Sequence, residues 1–462
     1  MVDILILGGI VRTTDAERSV IGKGAIAIEK NKIVAVGPRD ELKRDYDADR
    51  VIEADGKVIL PGFICTHAHM TSVLDHNMMC NLDSSQFKEF MDMLTKHWWP
   101  MLEDQSTKED VYYGTRFAAL KMLKSGTTCV TDMVEGPNAL PGILDSSARA
   151  IEEIGIRAVI GNEVSERLVV NPKTGETGSE NAEEGIRENI GFIEKRNNKD
   201  GLVKGRFALH SAYTCSPELL KKTRQLADKH KTGILIHLAE IPPKLLQEKY
   251  GKTAPQLMDD IGFLGPDVLA AHCIHLSDAD LEIFRKNDVK IAHTPMTNAL
   301  AGLTVARVPD MLEAGLTISL GHDCFFTMDF LECIRWVFLV HKQYRLNPTL
   351  MTADQVLEIA TINGARALQM EKEIGSLEPG KKADLIIVDP KCPTPINNNT
   401  LSSFIVSDMN GTDVNTVIVD GKIIMEHRKF NTVDEQEVLE SCVERATDLW
   451  ERDKKLFPKL WL

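Results

Sequence analysis

Two histidines one residue apart, His67 and His69, are the first groups in this sequence whose spacing fits a chemical task. On a strand, positions i and i+2 project to the same side, so both imidazoles can face one metal ion. The apolar run Val58-Ile59-Leu60-Pro61-Gly62-Phe63-Ile64 just before them supplies a buried strand. Comparable groups close later apolar runs: His237 follows Ile234-Leu235-Ile236, His272 follows Leu269-Ala270-Ala271, and Asp323 follows Ile318-Ser319-Leu320-Gly321. The imidazoles of His67, His69 and His237 with the Asp323 carboxylate suit Zn2+ and also accept Fe2+, because nitrogen and oxygen donors discriminate poorly. One His-x-His is easily fortuitous in a chain with 13 histidines; four suitable groups at strand ends are not.

The elements that must hold these groups follow from the pattern. Up to about residue 60 the chain reads as short strands at 4–10, 24–28 and 32–36, punctuated by Asn31, Gly37 and Pro38, with no helical periodicity. From Val58 onward, short apolar runs alternate with amphipathic stretches. The spacing predicts a helix over 105–125, with Ser106 and Glu109 as a capping box and Gly126 as its stop. Strands are expected at 127–132, 206–210, 233–238, 268–272, 289–293 and 316–320, with helices over 216–230 and 277–287 among them. Such alternation implies a parallel sheet, and a (β/α)8 TIM barrel is its simplest closure over this length. In that architecture chemistry sits at the C-terminal strand ends, where His67, His69, His237, His272 and Asp323 lie.

From Gly375 the strand pattern returns, with Ala383-Asp384-Leu385-Ile386-Ile387-Val388 and a hairpin turning at Asp420-Gly421. Both chain ends are expected to build one small β-sandwich domain, residues 1–58 with 376–430, beside a barrel of residues 59–375. A last helix is expected within 431–462, starting near Thr432 and capped with Glu435.

Bulk properties narrow the setting. A length of 462 residues fits one large and one small domain, and 43% hydrophobic with 26% charged residues argues against disorder. A formal net charge of −14 disfavours nucleic acid and anionic membrane as partners. No basic leader or long apolar stretch opens the chain, and nine scattered cysteines read as reduced thiols. The expectation is a cytoplasmic enzyme with a small-molecule substrate; the apolar content is compatible with a homo-oligomer.

The string Pro61-Gly62-Phe63-Ile64-Cys65-Thr66-His67-Ala68-His69 resembles the opening of the amidohydrolase superfamily. His210-Ser211-Ala212-Tyr213-Thr214-Cys215-Ser216, His237-Leu238-Ala239-Glu240, Ala271-His272-Cys273-Ile274-His275 and Leu320-Gly321-His322-Asp323 resemble its triazine hydrolase and nucleoside-deaminase branch, the ATZ/TRZ family. The likeness spans nearly the whole chain. It implies that His67, His69, His237 and Asp323 hold one divalent metal, since no strand offers a bridging carboxylated lysine. It also implies Glu240 as proton shuttle, His272 as the group that orients the attacking water, and His210 as a substrate contact. In related deaminases a glutamate just after a proline touches the substrate; Glu103, with Trp98 as a stacking surface, occupies that region one residue later.

The chemistry is coherent in its own terms. A metal lowers the pKa of bound water to about 7, Asp323 can accept its proton, and Glu240 can protonate a ring nitrogen and assist departing ammonia. Hydrolytic deamination of a small nitrogen heterocycle or nucleoside-like amine is therefore expected. The alternatives are displacement of chloride or an alkylamine, opening of a cyclic amide, or a non-catalytic metal protein. Three departures bear on the pocket. Gly161-Asn162 stand where methylthioadenosine/S-adenosylhomocysteine deaminases carry an arginine soon after a strand at 158–160. Met70-Thr71-Ser72-Val73 replace the glutamine of guanine deaminases, and Asp323 lies between His322 and Cys324 rather than in Gly-Thr-Asp-Gly.

Overall fold

The computed structural model describes residues 1–77, 88–324 and 327–458. Eight parallel strands form a ring: β1 (Phe63–Ala68), β2 (Thr127–Val134), β3 (Arg157–Val164), β4 (Phe207–Ser211), β5 (Ile234–Leu238), β6 (Val268–His272), β7 (Lys290–His293) and β8 (Ile318–Leu320). Each pairs with the next in parallel, and β8 returns to β1 through Leu320 opposite Cys65, so no edge is left open. Closure removes the unpaired edge that an open sheet would carry. The (β/α)8 barrel expected from the alternation is thus present.

The chain ends form two further sheets. Val2–Leu7 lies between Gly24–Glu29 and Ala48–Glu53, and Val58–Pro61 lies between Ile10–Arg12 and Leu385–Val388. Ile4, Ile6, Ile26 and Ile28 from the first sheet share one apolar cluster with Val11, Ile59, Leu385 and Ile387 from the second. The hairpin turn at Asp420-Gly421 has positive φ at both residues, 50° and 75°, the geometry that matches strand twist in a two-residue loop. Among the described residues, no helix is long and apolar enough to cross a membrane.

Four local expectations change. The run 58–64 is not one strand: it divides at Gly62, Val58–Pro61 joining the end sheet and Phe63–Ala68 the barrel. A Cβ on Gly62 would meet Thr128 Oγ1 at 2.0 Å, so only glycine lets the backbone cross there. The helix expected from Ser106 begins at Lys108, capped by Thr107 with Asp110, because the Ser106 hydroxyl donates backward to the Leu102 carbonyl. A short helix, Arg39–Asp45, interrupts the strand-rich N-terminal part and buries only Leu42. The last helix, Glu435–Leu456, is capped by Asp434, since Thr432 donates to the Ile154 carbonyl instead.

Candidate active site

Four strands deliver the central cluster. β1 carries His67 next to its last residue and His69 just beyond it, their rings meeting edge to face at 4.9 Å, and β5 supplies His237 and β6 His272. Asp323 arrives after β8 in the left-handed region, φ 68°, and its amide donates to the His67 carbonyl at 3.0 Å. The His69 amide donates in return to the Asp323 carbonyl at 3.2 Å, so backbone pairing across the β1–β8 seam fixes three of the groups. All five side chains are buried. His69 Nε2 stands 3.1 Å from His237 Nε2, and Asp323 Oδ1 lies 3.6 Å from both His67 Nε2 and His69 Nε2.

This donor set fits a divalent cation. His237 Nδ1 hydrogen-bonds the His210 carbonyl at 2.9 Å, and His69 Nδ1 faces Glu135 Oε1 at 2.7 Å and the Met133 carbonyl at 3.2 Å. With those nitrogens carrying the hydrogens, the two Nε2 lone pairs converge, an arrangement a cation relieves. His67 Nε2 and Asp323 Oδ2 are buried without a hydrogen-bond partner. Burial depresses His67 to about 4 and drives His237 well below its ordinary value, keeping both rings neutral. Burial alone would raise Asp323, but His272, His67 and His69 outweigh it and hold the carboxylate ionised. Burial pulls His69 down and Glu135 overrides it, raising the ring well above the usual range; a proton or a metal ion answers that carboxylate equally.

Beside this cluster, His272 Nε2 lies 3.4 Å from Glu240 Oε1 and 3.7 Å from Asp323 Oδ2. Its Nδ1 is held by Asn298 Oδ1 at 3.0 Å and Thr294 Oγ1 at 2.9 Å. Ala239, at φ 51°, turns the chain off β5 so that Glu240 swings over the barrel mouth. Burial raises the Glu240 pKa, against the opposing pull of His272. His272, Glu240 and Asp323 line a cavity that also takes in His210, Trp98 and Glu103. Trp98 and Glu103 come from a π-helix, Leu94–Glu103. The geometry therefore gathers every residue singled out from the sequence.

It also gathers groups that sequence reasoning missed. Glu135 follows β2 and Glu163 lies within β3, their carboxylates close to His69. Each is a lone acid at a strand end, which in sequence reads as a solvated turn. Arg167 is the third: β3 extends to Val164, beyond the 158–160 strand expected, and an arginine does follow it. Arg167 Nη2 donates at 2.7 Å to both Glu103 Oε2 and Asp104 Oδ1, tying the π-helix to the barrel. Glu103 Oε1 stays buried without a partner. No lysine or arginine lines the cavity among the described residues.

Residues 58–424 match the family model described as the amidohydrolase family. The chain is 38% identical over 454 residues to a 5′-deoxyadenosine deaminase of Methanosarcina mazei, covering 97% of this chain and 99% of that protein. It is 34% identical over 451 residues to a 5-methylthioadenosine/S-adenosylhomocysteine deaminase of Desulforamulus reducens, covering 96% and 99%. Among solved structures, an adenosine deaminase from Xanthomonas campestris with bound zinc superposes with a TM-score of 0.88 at 23% identity, covering 97% and 99%.

Proposed function

The chain belongs to the amidohydrolase family, and on that premise we propose that it is a metal-dependent aminohydrolase deaminating an adenine-type nucleoside. Water replaces the exocyclic amine: a C–O bond forms, the C–N bond breaks and ammonia leaves. The observation that carries this reading is the Glu240–His272–Asp323 constellation beside the three-imidazole cluster, on one buried cavity. The names of the relatives at 38% and 34% identity support the substrate class.

His67, His69, His237 and Asp323 would hold a single ion, Zn2+ in preference and Fe2+ as the alternative. When bound, a divalent cation acidifies water to a pKa of about 7 and so supplies the nucleophile at neutral pH. Asp323 has Oδ2 free of hydrogen bonds to take the water's proton. Glu240, whose carboxyl burial shifts towards the protonated form, is the acid that can place a proton on the ring nitrogen beside the amine-bearing carbon. His272, fixed through Nδ1, presents Nε2 between Glu240 and Asp323 and steadies the oxygen as it bonds to carbon. The proton collected by Asp323 then passes to the departing amine, and the proton left on the new hydroxyl returns to Glu240 as the carbonyl forms. Trp98 offers a flat face to the base, His210 closes the far wall, and Glu103 Oε1 accepts a hydroxyl or N–H donor. Without a lysine or arginine among the described lining residues, the cavity favours a nucleoside over a nucleotide. The free cysteines among the described residues support a reducing, cytoplasmic setting.

Ammonia release from zinc-loaded protein, measured with 5′-deoxyadenosine, 5′-methylthioadenosine, S-adenosylhomocysteine, adenosine, AMP and guanine, tests the proposal. At least one uncharged adenine nucleoside should reach a kcat/KM of about 10⁴ M⁻¹s⁻¹ or more. No ammonia from any of the nucleosides, with zinc bound, would overturn it.

A further inference from the structure

Glu135 stands beside the cluster and lines the same cavity, yet nothing in the deamination chemistry above uses it. Its carboxylate is buried, and one oxygen, Oε1, serves two partners: His69 Nδ1 at 2.7 Å and the indole Nε1–H of Trp98 at 3.2 Å. His69 is on the barrel seam and Trp98 is on the π-helix that walls the cavity. The rings of His69 and Trp98 stand edge to face, 6.0 Å apart, so the shared oxygen closes a compact triangle. The Met133 carbonyl also faces His69 Nδ1, at 3.2 Å. It is the longer contact and carries no charge.

We propose that Glu135 is a positioning residue with two duties: it commits His69 to binding metal through Nε2, and it sets the orientation of Trp98 against the substrate. A carboxylate on the δ nitrogen fixes the tautomer and ring plane of an ε-ligating histidine and makes that nitrogen a stronger donor. The same oxygen uses up the indole N–H, so Trp98 meets the substrate with its ring rather than with a hydrogen-bond donor. Metal binding and the substrate wall therefore share one anchor. This inference rests on the metal-site reading given above.

The test measures zinc affinity by competition with a chromophoric chelator, together with kcat and KM, for wild type, Glu135→Ala, Glu135→Gln and Trp98→Phe. Glu135→Ala should bind zinc about 10- to 100-fold more weakly and, when saturated with zinc, show a raised KM. Glu135→Gln keeps both accepted hydrogen bonds without the charge and should recover KM while regaining only part of the zinc affinity. Trp98→Phe should raise KM with zinc affinity intact. Zinc affinity within twofold of wild type in Glu135→Ala, or in Glu135→Gln where the alanine variant does not fold, would overturn the proposal. A wild-type protein that binds no zinc would instead sink the metal-site reading itself, so the two failures are distinguishable.

Discussion

Arg157, the first residue of β3, and Asp384, the residue before Leu385–Val388, form a buried two-pronged ion pair: Nε to Oδ2 at 2.6 Å and Nη2 to Oδ1 at 3.0 Å. Arg157 Nη2 also reaches Asp420 Oδ1 at 3.0 Å. The pair joins the closed ring to the sheet built from the chain ends, at the barrel face opposite the histidine cluster. Removing one partner of a buried pair leaves a desolvated charge, at a cost of about 3–5 kcal/mol. Asp384→Ala should therefore lower the denaturant midpoint by a clearly measurable amount while leaving KM of the surviving folded protein unchanged. An unaltered midpoint would show that the pair holds nothing together.

Glu240→Gln should keep its zinc, because Glu240 is not among the convergent donors, yet lose turnover by about 10²- to 10⁴-fold. The pH profile gives a second check. Since burial raises Glu240 and the acid must carry its proton, wild-type kcat should fall as pH rises through that elevated pKa. Asp323 is held ionised by its imidazole neighbours and should contribute no limb near neutrality. Near-normal turnover in the glutamine variant would remove Glu240 from the mechanism.

Arg167 restrains Glu103 and Asp104 together. Arg167→Met should release the π-helix from the barrel and cut kcat/KM by about 10- to 100-fold, as misplacement of positioning groups does. Most of the loss should appear in KM, since neither the metal donors nor Glu240 touch this arginine. A purely kcat effect would contradict the assignment of Glu103 and Trp98 to substrate.

Asp453, on the last helix, is buried with Oδ1 unpartnered, and burial pushes its carboxyl up to about 9, with Asp75 adding to the shift. The folded state therefore binds this proton across a window, from about 4 to about 9, in which the unfolded chain releases it. Stability contributed at this site falls as pH rises through that window. Asp453→Asn should stabilise the protein at pH 7, with a gain that grows from pH 5 to pH 9 in denaturant titrations. A gain independent of pH would show that the carboxyl is not the cause.

The sequence made the barrel and its chemistry legible because both are written locally. Val268–His272 is a five-residue apolar run ending in its own functional group, and His67 and His69 need only strand periodicity to share a side. What escaped notice depends on closure or on competing short-range bonds. Glu135 and Glu163 matter only because β2 stands beside β1, and β3 beside β2, once the ring forms. Ser106 and Thr107 are equally good caps on paper; the Leu102 carbonyl decides between them by taking the Ser106 hydroxyl. Arg39–Asp45 is mostly charged, and a helix with one buried leucine leaves little periodic trace.

The amides of His69 and Asp323 hold each other's strand across the place where the oldest and youngest staves of the ring meet. During synthesis on a ribosome, a chain that has not yet reached Asp323 carries three imidazole donors but lacks both the fourth donor and the seam that aligns them. On the proposed metal assignment, capture of an ion would report a completed ring, and a truncated or mis-threaded product would be left without the means to turn over substrate.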